Sequence, residues 1–184
     1  NLQRLINEAL GYQSVGEPKS ILSPYNGVKI ADVPQVDREI IFKKIDALAT
    51  GPKLSLKERI DAINEYRDLI RKNLQKYAKV ASAESGIPVI DMSYRIARVD
   101  RDPSEYARNM FGEKWRDLLD NKWVEKPSKM GKVYRRIIPH GVYLNMSPNN
   151  DSVGVFLQTF LDLFLSGNKT VSKPGSAVPV AHTI

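Results

Sequence analysis

Ser55 and Glu58, followed by apolar residues at alternating steps of four and three, define the largest element this chain must accommodate. A serine three residues before a glutamate is the spacing of a capping box, in which each side chain satisfies a backbone N–H left free at a helix start. Leu56, Ile60, Ile63, Arg67, Ile70, Leu74, Tyr77 and Ala81 then share one face. At 1.5 Å per residue that seam runs about 40 Å, within a helix predicted over residues 55–84. Acidic Glu58, Asp61, Glu65 and Asp68 fill its first half and basic Arg71, Lys72, Lys76 and Lys79 its second, as the helix dipole prefers.

The segments around it are mostly helical in pattern. A short amphipathic helix is expected over residues 2–10. Val36, Ile40, Ile41, Ile45 and Leu48 mark another that stops before Gly51-Pro52. Asp102-Pro103-Ser104-Glu105 reads as a helix start, with Tyr106, Met110, Trp115, Leu118 and Leu119 on its apolar side and Gly112 weakening its middle. Residues 87–101 fit a helix or a strand, and the helical reading is preferred. Residues 153–165 are apolar nearly all round, so a helix there must be buried on most sides, and they are too few to cross a membrane.

Pro127 and Gly131 between Trp123-Val124 and Val133-Tyr134 predict a small β-hairpin near 122–138. Residues 12–34 carry Gly16, Pro18, Pro24, Gly27 and Pro34, and read either as an arm or as an element without a clear period. The expected architecture is mainly α: a helical bundle with one long helix, the small hairpin, and extended N-proximal and C-terminal arms. It divides into an N-terminal helix and arm (1–34), a helical core (35–166) and a C-terminal tail (167–184).

Composition enters where function is concerned. The 184 residues hold 28 Lys and Arg against 21 Asp and Glu, a net charge of +7, which favours polyanionic partners. No cysteine is present, so the chain itself supplies no disulfide, thiolate metal ligand or cysteine nucleophile. Lys122, Lys126, Lys129, Lys132, Arg135 and Arg136 cluster on the hairpin with Trp123 and Tyr134, offering charge to phosphates and aromatic faces to bases. Arg95, Arg98, Arg101 and Arg108 precede them and extend that surface if the fold brings the two together.

These features point to a non-enzymatic, low-specificity nucleic-acid-binding protein that self-assembles, of the coat, nucleocapsid or nucleoid kind, in a virion or the cytoplasm. Phe156, Phe160 and Phe164 on the apolar helix are its expected self-association surface, giving a homo-oligomer. Neither cofactor nor metal is implied, and no small-molecule substrate is evident. The competing readings are a helical adaptor that binds another protein, and a metal-independent ribonuclease with His140 as general base beside Arg135 and Arg136. Carboxylates at Asp100, Asp102 and Glu105, or at Glu113, Asp117 and Asp120, could hold Mg2+ for a nuclease, but such groupings are ordinary at helix starts and exposed faces. No phosphate-binding glycine motif or serine-esterase motif occurs.

Overall fold

The protein is described by a computed structural model over residues 16–98 and 100–182. The helix expected over residues 2–10 lies outside the described residues.

The first described element is a hairpin, β1 (Lys19–Leu22) paired antiparallel with β2 (Lys29–Val33) in the register Ile21↔Ala31. Its turn closes with the Gly27 N–H donating to Ser23 O at 2.8 Å, with Gly27 at φ +69°, a conformation that costs glycine little. Ile21 and Ala31 point inward and are buried. The N-proximal arm expected here is therefore a folded element.

α1 (Arg38–Thr50) begins at Asp37, whose side chain accepts the Glu39 N–H, and ends at Gly51. α2 (Leu56–Ser85) has the capping box in full: Ser55 Oγ accepts the Glu58 N–H at 3.2 Å and Glu58 Oε2 accepts the Ser55 N–H at 2.7 Å. Leu56, Ile63, Ile70 and Ala81 of the seam are buried, and Ile60, Leu74 and Tyr77 pack beside them. Arg67, the interruption, turns to Asp100 at 3.1 Å. α2 ends where Gly86 adopts φ +78°.

α3 (Val89–Ala97), α4 (Pro103–Phe111) and α5 (Trp115–Leu119) follow. The single helix expected from Asp102 to Leu119 is two, because Gly112 at φ +83° ends α4 instead of riding through its middle. β3 (Val124–Lys126) and β4 (Val133–Arg135) form the second hairpin. β5 (Val142–Met146), α6 (Ser152–Leu165) and β6 (Lys169–Lys173) come next, and a 3-10 turn (Val180–His182) closes the described chain.

β5 and β6 pair in parallel, from Val142↔Lys169 to Met146↔Lys173, with α6 as the crossover. This corrects the helical-bundle expectation: the described residues hold three two-stranded sheets, and one is a β-α-β unit. The extended C-terminal arm is likewise corrected to a strand and a turn. β6 reads Lys-Thr-Val-Ser-Lys, without the apolar run usual in a parallel strand, because its residues are only half-covered here. α6 packs against α2, α3, β5 and β6, but the burial expected on most of its sides is complete only along one stripe, Val153, Leu157, Leu161 and Leu165, with Phe156, Phe160 and Phe164 partly covered and Val155 exposed. Among the described residues no helix is long and apolar enough to cross a membrane.

Candidate functional site

In open α/β sheets, ligands bind beyond the carboxyl ends of parallel strands, where the next helix presents its free N–H groups. Those ends are Met146 and Lys173, which stand opposite each other. The ladder extends one step further, with the Ser147 N–H donating to Lys173 O at 3.0 Å. The loops beyond it, 147–151 and 174–179, are locked together. Asn149 Oδ1 accepts the Ala177 N–H at 3.2 Å. A Cβ on Gly175 would stand 2.5 Å from Asn149 Oδ1 and 3.1 Å from Pro148 O, so only glycine permits this approach.

Around this edge the polar groups divide into held and unheld. Asp151, ahead of α6, has one carboxylate oxygen 3.5 Å from Arg95 and 3.4 Å from Arg98, and Arg95 also donates to Asn150 O at 3.1 Å. Ser147 Oγ is buried with no partner among the described residues. Lys173 is exposed at the end of β6, its ammonium 3.4 Å from Pro174 O. The edge thus offers a helix start, a cation, a carboxamide and an unpaired hydroxyl.

From behind, the same loop is tied to α2. The Glu84 carboxylate is buried and accepts the N–H groups of Val180 at 2.7 Å and Ala181 at 2.9 Å. Burial pushes its pKa up to about 7, the two backbone N–H groups pulling the other way. Because the folded value lies above the usual 4.5, its contribution to stability is fully present below pH 4.5 and is lost as pH rises through 7. The difference is about 3 kcal/mol. Glu84→Gln should therefore flatten the denaturant midpoint between pH 4.5 and 8; a variant with the wild-type slope would assign it to another group.

Arg95 and Arg98 are engaged by Asp151, and Arg101 donates to Arg98 O at 3.0 Å and lies over the Tyr106 ring. Lys122 pairs with Asp117 at 3.1 Å, Arg135 donates to Phe111 O at 2.6 Å, and the Arg136 guanidinium covers Trp123 at 4.9 Å. Lys126, Lys129, Lys132 and Tyr134 are exposed on the β3–β4 hairpin. Phe156, Phe160 and Phe164 stack along α6, with centroids 6.0 and 5.1 Å apart, and Phe160 also meets Tyr66.

His140 sits edge-on to Tyr143, and its backbone N–H donates to Asn168 Oδ1 at 2.7 Å. Asp100 is taken by Arg67 and Arg71, and Asp102 caps α4. Among the described residues no group of three or more His, Asp or Glu side chains could hold a metal. Sequence reasoning passed over Ser147, Asn149, Lys173 and Gly175. The one local signal was Lys-Pro-Gly-Ser after a short β-like run, in a segment whose composition reads as a tail.

A parallel β-α-β unit is the repeating element of Rossmann-like α/β folds. Comparison with known proteins agrees, for the aldehyde dehydrogenase family profile matches residues 12–184, and the chain belongs to that family. It is 26% identical over 170 residues to D-glyceraldehyde dehydrogenase (NADP(+)) of Thermoplasma acidophilum, which covers 90% of this chain and 33% of that protein. Its fold matches an oxidoreductase from Marinobacter aquaeolei with a TM-score of 0.75 and 19% identity, over 94% of this chain and 36% of that one. It also matches the NADP-dependent glyceraldehyde-3-phosphate dehydrogenase of Bacillus halodurans C-125 complexed with NADP, with a TM-score of 0.70 and 19% identity, over 93% of this chain and 37% of the other. The chain spans about a third of the length of these relatives.

Family membership overturns the functional expectations. The fold is the Rossmann-like α/β fold of aldehyde dehydrogenases, and the family is one of oxidoreductases. The non-enzymatic coat, nucleocapsid or nucleoid reading, with its DNA-binding and virion associations, is corrected, as are the adaptor and His140 ribonuclease alternatives. Nothing supports nucleic acid as the partner. The physical reason lies in the charge: much of the apparent basic surface is spent on Asp151, Asp117, backbone carbonyls and aromatic faces.

Proposed function

We propose that this chain forms part of the dinucleotide site of an NADP-dependent dehydrogenase acting on aldehydes. The observation that carries the reading is the β5–α6–β6 unit, whose two strand ends, helix start and Lys173 converge on one edge. NADP appears in the names of the Thermoplasma relative and of the Bacillus structure. The residues present suit such a group: Ser147 has an unpaired hydroxyl, Gly175 clears the approach between the loops, and Lys173 offers an ammonium to a phosphate or ribose.

Bound there, the cofactor would accept hydride from the substrate carbon. This chain's residues bind and orient it, with Asn149 holding loop 174–179 against loop 147–151. The test is a calorimetric titration of the intact protein with NADP+ and with NAD+. Lys173→Ala should weaken NADP+ binding about tenfold or more, the loss of one charge-assisted contact. Absence of binding of either nucleotide by the wild-type protein would remove the proposal.

A further inference from the structure

We infer that Glu84, remote in sequence from the cofactor edge, is a positioning residue for it: its carboxylate latches the far end of loop 174–179. This rests on the dinucleotide reading above. The loop leaves β6 at Lys173 and reaches the 3-10 turn at Val180 after six residues. A span so short has little freedom once both ends are fixed. Its near end is fixed by the β5–β6 ladder.

Its far end is fixed by Glu84, which accepts the N–H groups of two consecutive residues, Val180 and Ala181. All three residues are buried, and Val180 is fully enclosed between Ile21 and Ala31 of the β1–β2 hairpin. Among the described residues, no cation contributes to the environment of this carboxylate; desolvation and the two backbone donors account for it. A buried carboxylate without a counter-ion is costly to keep, so the chain gains something by its presence. What it gains is a set position for the loop, in which Gly175 packs on Asn149 and the Ala177 N–H donates to it. Lys19 assists from β1, donating to Ser176 O at 2.6 Å.

The experiment uses the intact protein with Glu84→Ala and Glu84→Gln, following NADP+ affinity, hydrogen exchange at the Val180 and Ala181 amides, and steady-state kinetics. Glu84→Ala removes both acceptors and should weaken NADP+ binding about tenfold; Glu84→Gln keeps one acceptor oxygen and should lose about threefold. KM for NADP+ should rise while KM for the aldehyde holds and the melting temperature of Glu84→Gln, compared below pH 4.5 where Glu84 is protonated, holds as well, a split that a general loss of structure does not produce. Protection of the two amides should fall in the same order. If Glu84→Ala does not fold, the glutamine variant decides. Wild-type affinity in the folded variants overturns the latch alone, whereas a wild-type protein that binds neither NADP+ nor NAD+ overturns the cofactor reading and the latch with it.

Discussion

Replacing Arg59 by alanine should destabilise the protein by about 3–5 kcal/mol, since it leaves two buried carbonyls without their charged donor at roughly 1.5–3 kcal/mol each. Arg59 lies on α2 yet is only 6% exposed. Its guanidinium donates to Leu165 O, the last residue of α6, and at 2.9 Å to Leu119 O, the last residue of α5; Nε reaches Ser55 O at 3.3 Å. Helix C-termini carry partial negative charge, so one cation serves two of them. Burial lowers its pKa, with Asp120 opposing that shift. The side chain also lies against Gly167, where a Cβ would come within 3.2 Å of the guanidinium. A chemical-denaturation series comparing Arg59→Ala with Arg59→Lys provides the check. Lysine keeps the charge but cannot reach two helix ends at once, so it should recover only part of the loss. A loss below 1 kcal/mol in the alanine variant would contradict this role.

Trp115→Ala should cost a similar amount, about 3–5 kcal/mol, from lost burial and the cavity left behind. Trp115 is 1% exposed and belongs to the main core with Leu56, Ile63 and Leu119. Its ring also carries the Arg116 guanidinium at 4.4 Å. Because α5 is only five residues long, it has no helical cooperativity to fall back on once its anchor is gone. The expected readout is a fall in thermal midpoint without loss of fold, whereas Trp123→Ala should change little, since Trp123 is exposed on the hairpin. Equal effects at the two tryptophans would refute the assignment of the core.

The contrast between legible and illegible elements follows from where each signal resides. α2 was readable because its capping box and seam are local: Ser55 bonds Glu58 three residues on. The β3–β4 hairpin and the boundaries of α1 and α6 are local in the same sense. The β1–β2 hairpin had a usable signal, Asn26-Gly27 between two short runs, but only Ile21 and Ala31 of its strands are buried, so alternation is faint. Gly112 could be a tolerated helical glycine or a terminator, and the choice depends on where Trp115 must point, which is tertiary information.

The candidate site was least readable of all. A parallel pair joins residues whose partners are 27 positions apart, such as Val142 and Lys169, and β6 is too polar to announce itself. Charge misled in the other direction. Arg95, Arg98 and Lys122 count as free positive groups in a sequence but have carboxylate partners in the fold. Net charge therefore described solubility better than it described a partner.

The small cluster of Ile21, Ala31 and Val180 sets an order of events during synthesis. Lys19 and Ser176, which bond across it, are 157 residues apart. At a translation rate of about 5–20 residues per second, the β1–β2 hairpin waits roughly 7–30 s for its buried partner to be made. Until then its inner face is open, and a two-stranded hairpin alone is marginal in water. The β1–β2 strands are thus made well before the residues that secure them, so slowed elongation or a holding chaperone should influence yield through this hairpin more than through the self-capped α2.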